Sequence, residues 1–234
     1  MSSLEDKVAF VTGASSGIGA ATARALADHG VHLGLASLEG DDLGLDAVAG
    51  VCDVRNHDQV ATLVEKTVAR YGRMDILFAN AGIGIIRRRF EDHTVAEIDE
   101  IIDVNVKGLM YTVQAALPHL RRSDAADIVT LVSQSGLRVL PLESVYCGSK
   151  FAQWGFTRAL DRELFADGIR CTAVCPGGVR TRFAMGGRGR EEGSAELDPM
   201  LSPDDVAEAV VFALTRPRNY RLVDVGLLPM TEEV

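Results

Sequence analysis

Thr12-Gly13-Ala14-Ser15-Ser16-Gly17-Ile18-Gly19 follows an apolar, β-branched run at 8–12 and opens a helix-period stretch at 17–29. Strand, glycine-rich turn and helix in that order make a cradle for phosphate. The glycines allow a tight turn and close main-chain approach, and the helix start offers unpaired N–H groups at the positive end of its dipole. The strand before and the helix after separate this reading from an ordinary strand-to-helix loop. The turn therefore implies dinucleotide binding through Gly13, Ser15, Ser16, Gly17, Ile18 and Gly19.

Outward from the turn the same alternation runs along the chain. Short β-branched runs at 32–36, 48–52, 76–79, 128–133, 170–175 and 222–225 alternate with helical periodicity at 57–71, 95–121, 146–167 and 203–215. This pattern predicts an α/β, Rossmann-like doubly wound parallel sheet flanked by helices on both faces, in a single domain over 1–234. Asn56 and Ser202 read as helix caps. The polar, Gly-rich segment 182–200 reads as a substrate-binding loop or lid, because structureless stretches of that length inside a compact domain usually serve a site.

Composition narrows the function. With 47% hydrophobic and 24% charged residues the chain buries a core, which removes the disordered and fibrous classes. A net charge of -9 lacks the basic excess that a phosphate backbone demands, so nucleic acid is not the expected partner. The start shows no cationic region followed by an apolar stretch, and the greasy stretch 74–86 is broken by Asp75 and Asn80; a cytoplasmic protein without a membrane partner is expected. Cys171 and Cys175 fall on one strand, about 13 Å apart and too far for a disulfide, so free buried thiols are expected. The five histidines show no metal-ligand spacing, and no metal is expected.

Tyr146-Cys147-Gly148-Ser149-Lys150 sets a phenol and an amine at i and i+4 on a helix start, hence on one face. A tyrosine working near neutrality needs its pKa lowered by roughly 3 units, about 4 kcal/mol. A cation about 4 Å away at an effective dielectric of about 20 supplies that much. The bland alternative is a surface pair on one helix face; the scarcity of lysine (Lys7, Lys66, Lys107 and Lys150) makes coincidence less economical.

Together with the glycine turn, Asp53-Val54, Asn80-Ala81-Gly82, Asn105, Ser133, the Tyr146/Lys150 pair and Pro176-Gly177-Gly178-Val179-Arg180-Thr181 occur in an order that resembles the short-chain dehydrogenase/reductase family over nearly the whole chain. The resemblance implies an NAD(P)-dependent oxidoreductase moving a hydride between the nicotinamide and a small alcohol, ketone or aldehyde. In that scheme Tyr146 is the general acid/base and Ser133, taken to end the fifth strand, hydrogen-bonds the substrate oxygen. Lys150 tunes Tyr146 and holds the nicotinamide ribose, and Asn105 holds a water in a proton relay with Lys150. Asp53 and Val54 would lie by the adenine, Asn80, Ala81 and Gly82 would support the cofactor cleft, and Pro176, Gly177, Val179 and Thr181 would bracket the nicotinamide. Ser135, Leu137, Glu143 and Phe183, with Ile83 and Val139, would line the substrate pocket.

Two departures bear on the cofactor. Ser37 stands where NAD users of the family carry aspartate, and Leu38 and Ser16 stand where NADP users often carry arginine. Residues 31–54 contain no Lys or Arg, whereas Glu39, Asp41, Asp42 and Asp46 would repel a 2′-phosphate, which leans toward NAD over NADP. The same stretch is short, so the helix on the adenine side is expected to be trimmed. The resemblance also implies a homodimer or homotetramer through 95–121 and 146–167; Phe151, Trp154 and Phe156 suit either that interface or the core. Arg87, Arg88, Arg89, Arg188 and Arg190 read as a solvated cluster, with attraction of an anionic substrate as the alternative. A catalytically silent dinucleotide-binding sensor or scaffold is the competing class, and it predicts loss of the tyrosine or lysine that this chain retains.

Overall fold

The computed structural model describes residues 3–232. Seven strands form one parallel sheet: β1 (Val8–Thr12), β2 (His32–Ser37), β3 (Ala47–Val51), β4 (Ile76–Ala79), β5 (Asp127–Leu131), β6 (Arg170–Pro176) and β7 (Asp224–Leu227), in the order β3-β2-β1-β4-β5-β6-β7. β1, β4 and β6 are buried along their whole length, as strands covered on both faces must be. The cover is α1 (Gly17–Asp28) and α6 (Pro203–Leu214) on one side, and α2 (His57–Tyr71), α4 (Gly108–Leu120) and α5 (Ser144–Leu164) on the other. Phe10, Leu77, Ile128 and Leu120 centre one apolar layer, Val11, Phe78, Leu33 and Val210 the other, each residue almost wholly removed from water.

Winding reverses between β1 and β4, which opens a crevice at the carboxyl ends of those strands. Helix starts follow local chemistry. The Asn56 side chain accepts from the N–H groups of Asp58 and Gln59, and Ser202 forms a reciprocal capping box with Asp205 ahead of Pro203. No helix among the described residues is long and apolar enough to cross a membrane. All four cysteines are buried free thiols.

Four expectations need correction. Helical periodicity over 95–121 is not one helix: α3 (Val95–Ile102) passes through a π turn, Asp103–Lys107, before α4 begins, because Asn105 turns inward to bind main chain. β5 ends at Leu131, so Ser133 lies beyond the strand in an extended link to a short 3-10 turn. β7 is displaced two residues from 222–225, since Asp224 to Leu227 are the residues in register with β6. The predicted helix 146–167 begins at Ser144, so Tyr146 sits inside the first turn, and its last residues form a 3-10 turn, Phe165–Asp167. Between β2 and β3 there is no helix; Asp41 and Asp42 accept from the N–H groups of Leu43 and Gly44, and turn the chain there.

Candidate active site

At the β1 to α1 turn, Gly13 has φ 65°, and a Cβ on Gly19 would stand 2.1 Å from the Gly13 oxygen, so only glycine fits both places. Asn80, at the end of β4, locks the turn: its Nδ2 donates to the main-chain oxygens of Thr12 (2.9 Å) and Gly13 (3.1 Å). The Thr12 hydroxyl accepts from the N–H groups of Asn80 and Ala81 in return. Ser16 takes the N-cap position of α1 with no side-chain cap bond, which leaves the first-turn N–H groups without a side-chain acceptor from the cap. A cavity of about 390 Å³ opens over Gly13, Ser16, Gly17, Ile18, Asn80, Ala81 and Gly82. A cradle that side chains would fill, bounded by a helix start, fits a dinucleotide pyrophosphate.

That cavity shares Ile18, Asn80, Gly82, Leu131, Thr181 and Phe183 with a second one of about 400 Å³. Into the second face Ser133, Ser135, Glu143, Tyr146, Lys150, Pro176, Gly177 and Val179. The fold brings these together because β5 and β6 are hydrogen-bonded neighbours whose carboxyl ends finish side by side, and α5 starts against the 3-10 turn after β5.

Tyr146 is 7% exposed. Burial pushes its phenol above the ordinary value, and a side-chain hydrogen bond from Ser133 works in the opposite direction. The Lys150 ammonium lies 5.7 Å from the centre of the Tyr146 ring. Burial brings Lys150 down to about 7, so near neutral pH it exchanges its proton readily. Its Nζ donates to Gln153 Oε1 at 2.7 Å and to the Leu131 oxygen at 3.1 Å, and has no carboxylate partner among the described residues. Glu143, raised by burial, accepts from the Ser135 hydroxyl at 3.3 Å.

Asn105 does not face the cavity. Its Oδ1 accepts from the Ile83 N–H, its Nδ2 donates to the Ile83 oxygen and to Ser149 Oγ, and its main-chain oxygen accepts from Gln153 Nε2 at 2.7 Å. The connection from Asn105 to Lys150 thus runs through the Gln153 amide. The amide holds both neighbours in place. Gln153 carries no signal in the sequence beyond lying three residues after Lys150, and was missed.

Other expected positions are dispersed. Ser15 and Gly19 back the turn without lining either cavity. Ser37 is buried at the end of β2, its Oγ accepting from the Gly40 N–H, while Leu38 is 64% exposed beside it. Asp53 is gripped by Arg55 at 2.6 Å, which holds its carboxyl below the ordinary range, and Val54 packs beneath Gly108. Leu137 lies outside the pocket: on the rim after the 3-10 turn it is 40% exposed, and Val139 points further into solvent. Ile83 borders the turn-side cavity only. Phe183 lines both cavities, its ring 5.2 Å from that of Tyr146. The sequence reading overlooked Arg138, Gln134 and Glu232, which also line the larger cavity, Glu232 because it arrives from the far end of the chain.

The family model described as short chain dehydrogenase matches residues 7–192. A curated relative from Staphylococcus saprophyticus, described as an uncharacterized oxidoreductase, is 35% identical over 98% of this chain and 100% of its own. Among solved structures, an alcohol dehydrogenase from Thermococcus sibiricus complexed with 5-hydroxy-NADP is 31% identical, with a TM-score of 0.86 over 97% of this chain and 98% of that one. A short chain dehydrogenase from Mycobacterium paratuberculosis bound to NAD is 28% identical, with a TM-score of 0.85 over 96% of this chain and 97% of that one.

Proposed function

The chain belongs to the short-chain dehydrogenase family of oxidoreductases, and from that premise we propose that it interconverts an alcohol and a ketone or aldehyde with NAD(H) or NADP(H), Tyr146 serving as general acid/base. The observation that carries this reading is the convergence of Ser133, Tyr146 and Lys150 on a cavity continuous with the glycine turn. When bound, the nicotinamide supplies or accepts the hydride, so the protein's share is positioning, polarisation and proton transfer.

In the reduction direction the Ser133 hydroxyl and the Tyr146 phenol hydrogen-bond the carbonyl oxygen, and Tyr146 hands its proton to the alkoxide as charge develops there. In oxidation the phenol oxygen takes that proton. Lys150 stabilises the phenolate through space and would hold the nicotinamide ribose, while Gln153 and the Leu131 oxygen fix its Nζ. Asn105 holds the loop at Ile83 that borders the cleft. The 182–200 segment, which contributes Phe183, Arg190 and Met200 to the cavity wall, closes the site over substrate.

The exposed acids Glu39, Asp41 and Asp42 after β2 favour NAD, because a 2′-phosphate there meets like charge. The exposed Met110 on α4 and Phe151 on α5 lie on the helices through which a homodimer or homotetramer would assemble; Trp154 and Phe156 instead pack inward. Calorimetric titration with NADH and NADPH, followed by cofactor oxidation over a carbonyl panel for wild type and Tyr146→Phe, tests the reading. Cofactor binding with turnover abolished in the variant supports it. Cofactor binding with no turnover of any carbonyl or alcohol supports a sensor instead, and equal turnover in both proteins removes Tyr146 from the chemistry.

A further inference from the structure

Arg87, Arg138 and Arg190 line the cavity, with Arg88 and Arg188 beside them in the chain, and nearly all are matched. Arg87 pairs with Glu196 at 2.5 Å, Arg88 with Glu97 at 2.7 Å, Arg138 with Glu232 at 3.2 Å and Arg188 with Glu100 at 2.9 Å. Arg190 forms no ion pair among the described residues. Its Nη1 donates to the Val179 oxygen at 3.2 Å, and its Nε is buried without a hydrogen-bond partner. A guanidinium has five N–H donors, and the described residues occupy one. The group stacks 5.7 Å from the centre of the Phe183 ring, whose other neighbour is the Tyr146 ring, and it lines the same cavity as Ser133 and Tyr146.

The main chain around Arg190 is held in place. The Arg190 N–H donates to the Ala184 oxygen at 2.8 Å, Arg188 accepts from the Ile86 N–H at 2.9 Å, and Arg87 and Arg88 donate to the oxygens of Gly189 and Gly187. The segment therefore presents a fixed fork of donors, and little ordering remains when a ligand arrives. A partly buried cation without a counter-ion is costly, and burial pushes this guanidinium below its ordinary value. The acids within electrostatic reach do not close the gap: Glu196 is bound to Arg87, and Glu143 takes the Ser135 hydroxyl.

We propose that Arg190 receives a carboxylate borne by the substrate, so that the protein acts on oxo acids and hydroxy acids in preference to their neutral counterparts. The planar fork of the guanidinium matches a carboxylate in two parallel hydrogen bonds. A phosphate fits less well, since its second charge would share the cavity with Glu143 and Glu232. This inference rests on the oxidoreductase reading for the word substrate, but not for the binding itself.

The test is calorimetric. The cofactor-saturated protein is titrated with 2-, 3- and 4-oxopentanoate and with the methyl ester of each, with cofactor oxidation followed in parallel. These isomers keep size constant and vary the distance between carbonyl and carboxylate. At least one acid is expected to bind roughly 10-fold or more tightly than its ester. Arg190→Gln is expected to reduce that preference to about 2-fold or less, with Arg190→Lys intermediate because it keeps charge without the fork. Esters that match or exceed all three acids in the wild type overturn the proposal, whatever the variants do. An acid preference that survives unchanged in Arg190→Gln overturns it as well. Acid preference without turnover leaves the carboxylate site standing and removes the oxidoreductase reading; turnover of acids and esters alike does the reverse.

Discussion

The two ends of the parallel sheet treat buried charge in opposite ways. At the amino-terminal ends of the strands the buried acids Asp75 and Asp127 are both matched. Asp75 accepts from Arg73, from the Ser123 hydroxyl and from the Val8 N–H, and Asp127 holds Arg170 at 2.6 Å and Arg218 at 2.8 Å. Burial alone would raise the Asp75 carboxyl, but Arg73, Ser123 and Val8 together keep it below the ordinary range. At the carboxyl ends, Lys150 is almost wholly buried and, among the described residues, has only neutral acceptors, while Arg190 has no ion-pair partner among them. Charge that is satisfied holds strands in place; charge that is left over is available to a ligand or a proton.

The largest expected effect is at Tyr146. Tyr146→Phe should lower kcat by roughly 10³-fold, about 4 kcal/mol of transition-state stabilisation, with cofactor affinity and melting temperature nearly unchanged. Steady-state kinetics beside a thermal melt checks this, and a large drop in stability would mean that the carboxyl end is as structural as the amino end.

Asp127→Ala strands Arg170, which is almost wholly buried, and should cost about 3 kcal/mol of stability, while activity per folded molecule is retained. Denaturant titration measures it. Loss of activity without loss of stability would break the contrast from the other side.

Lys150→Met should act in the opposite sense on stability. The unfolded lysine titrates near 10.4 and the folded one at about 7, so between these values the unfolded chain holds the extra proton and wild-type stability rises with pH. Below about pH 7 the wild type carries the full penalty of the enclosed cation. After allowing for about 2 kcal/mol from the donor lost to Leu131 and Gln153, the variant should be more stable by about 2 kcal/mol at pH 7, and the gain should vanish near pH 9 and reverse above it. Melts across this range decide it; destabilisation at every pH would place Lys150 with the structural charges.

The smallest effect belongs to Gln153. Gln153→Leu should lower kcat roughly 10-fold and move the limb of the pH profile that reports Lys150 toward lower pH, while Gln153→Glu moves it toward higher pH by placing an anion against the ammonium. Equal profiles in both variants would reduce Gln153 to packing.

How much of this was legible follows from the range of each interaction. The strand, turn and helix at 8–29, the caps at Asn56 and Ser202 and the shared face of Tyr146 and Lys150 depend on neighbours a few residues away, and their placement could be read directly. Order of motifs added Ser133 and Asn105, although neither the end of β5 nor the π turn that points Asn105 inward was visible, because both answer to main-chain partners far along the chain. Leu137 was assigned to the pocket by its position after a strand and sits on the rim instead, since the 3-10 turn rotates it outward.

Periodicity and glycine placement alone thus determined a doubly wound sheet with a tight glycine turn between its first strand and first helix, because side-chain pattern and backbone sterics are local properties. The arginines show what they could not determine. Arg87, Arg88, Arg188 and Arg190 look alike along the chain, and a solvated cluster was the natural reading. Only folding, by bringing Glu196, Glu97 and Glu100 to the first three, left Arg190 against Phe183 and Val179 inside the cavity. Whether a charge is spent on structure or kept for chemistry depends on which partners arrive from distant segments and on how much water is excluded, and both are settled by tertiary packing.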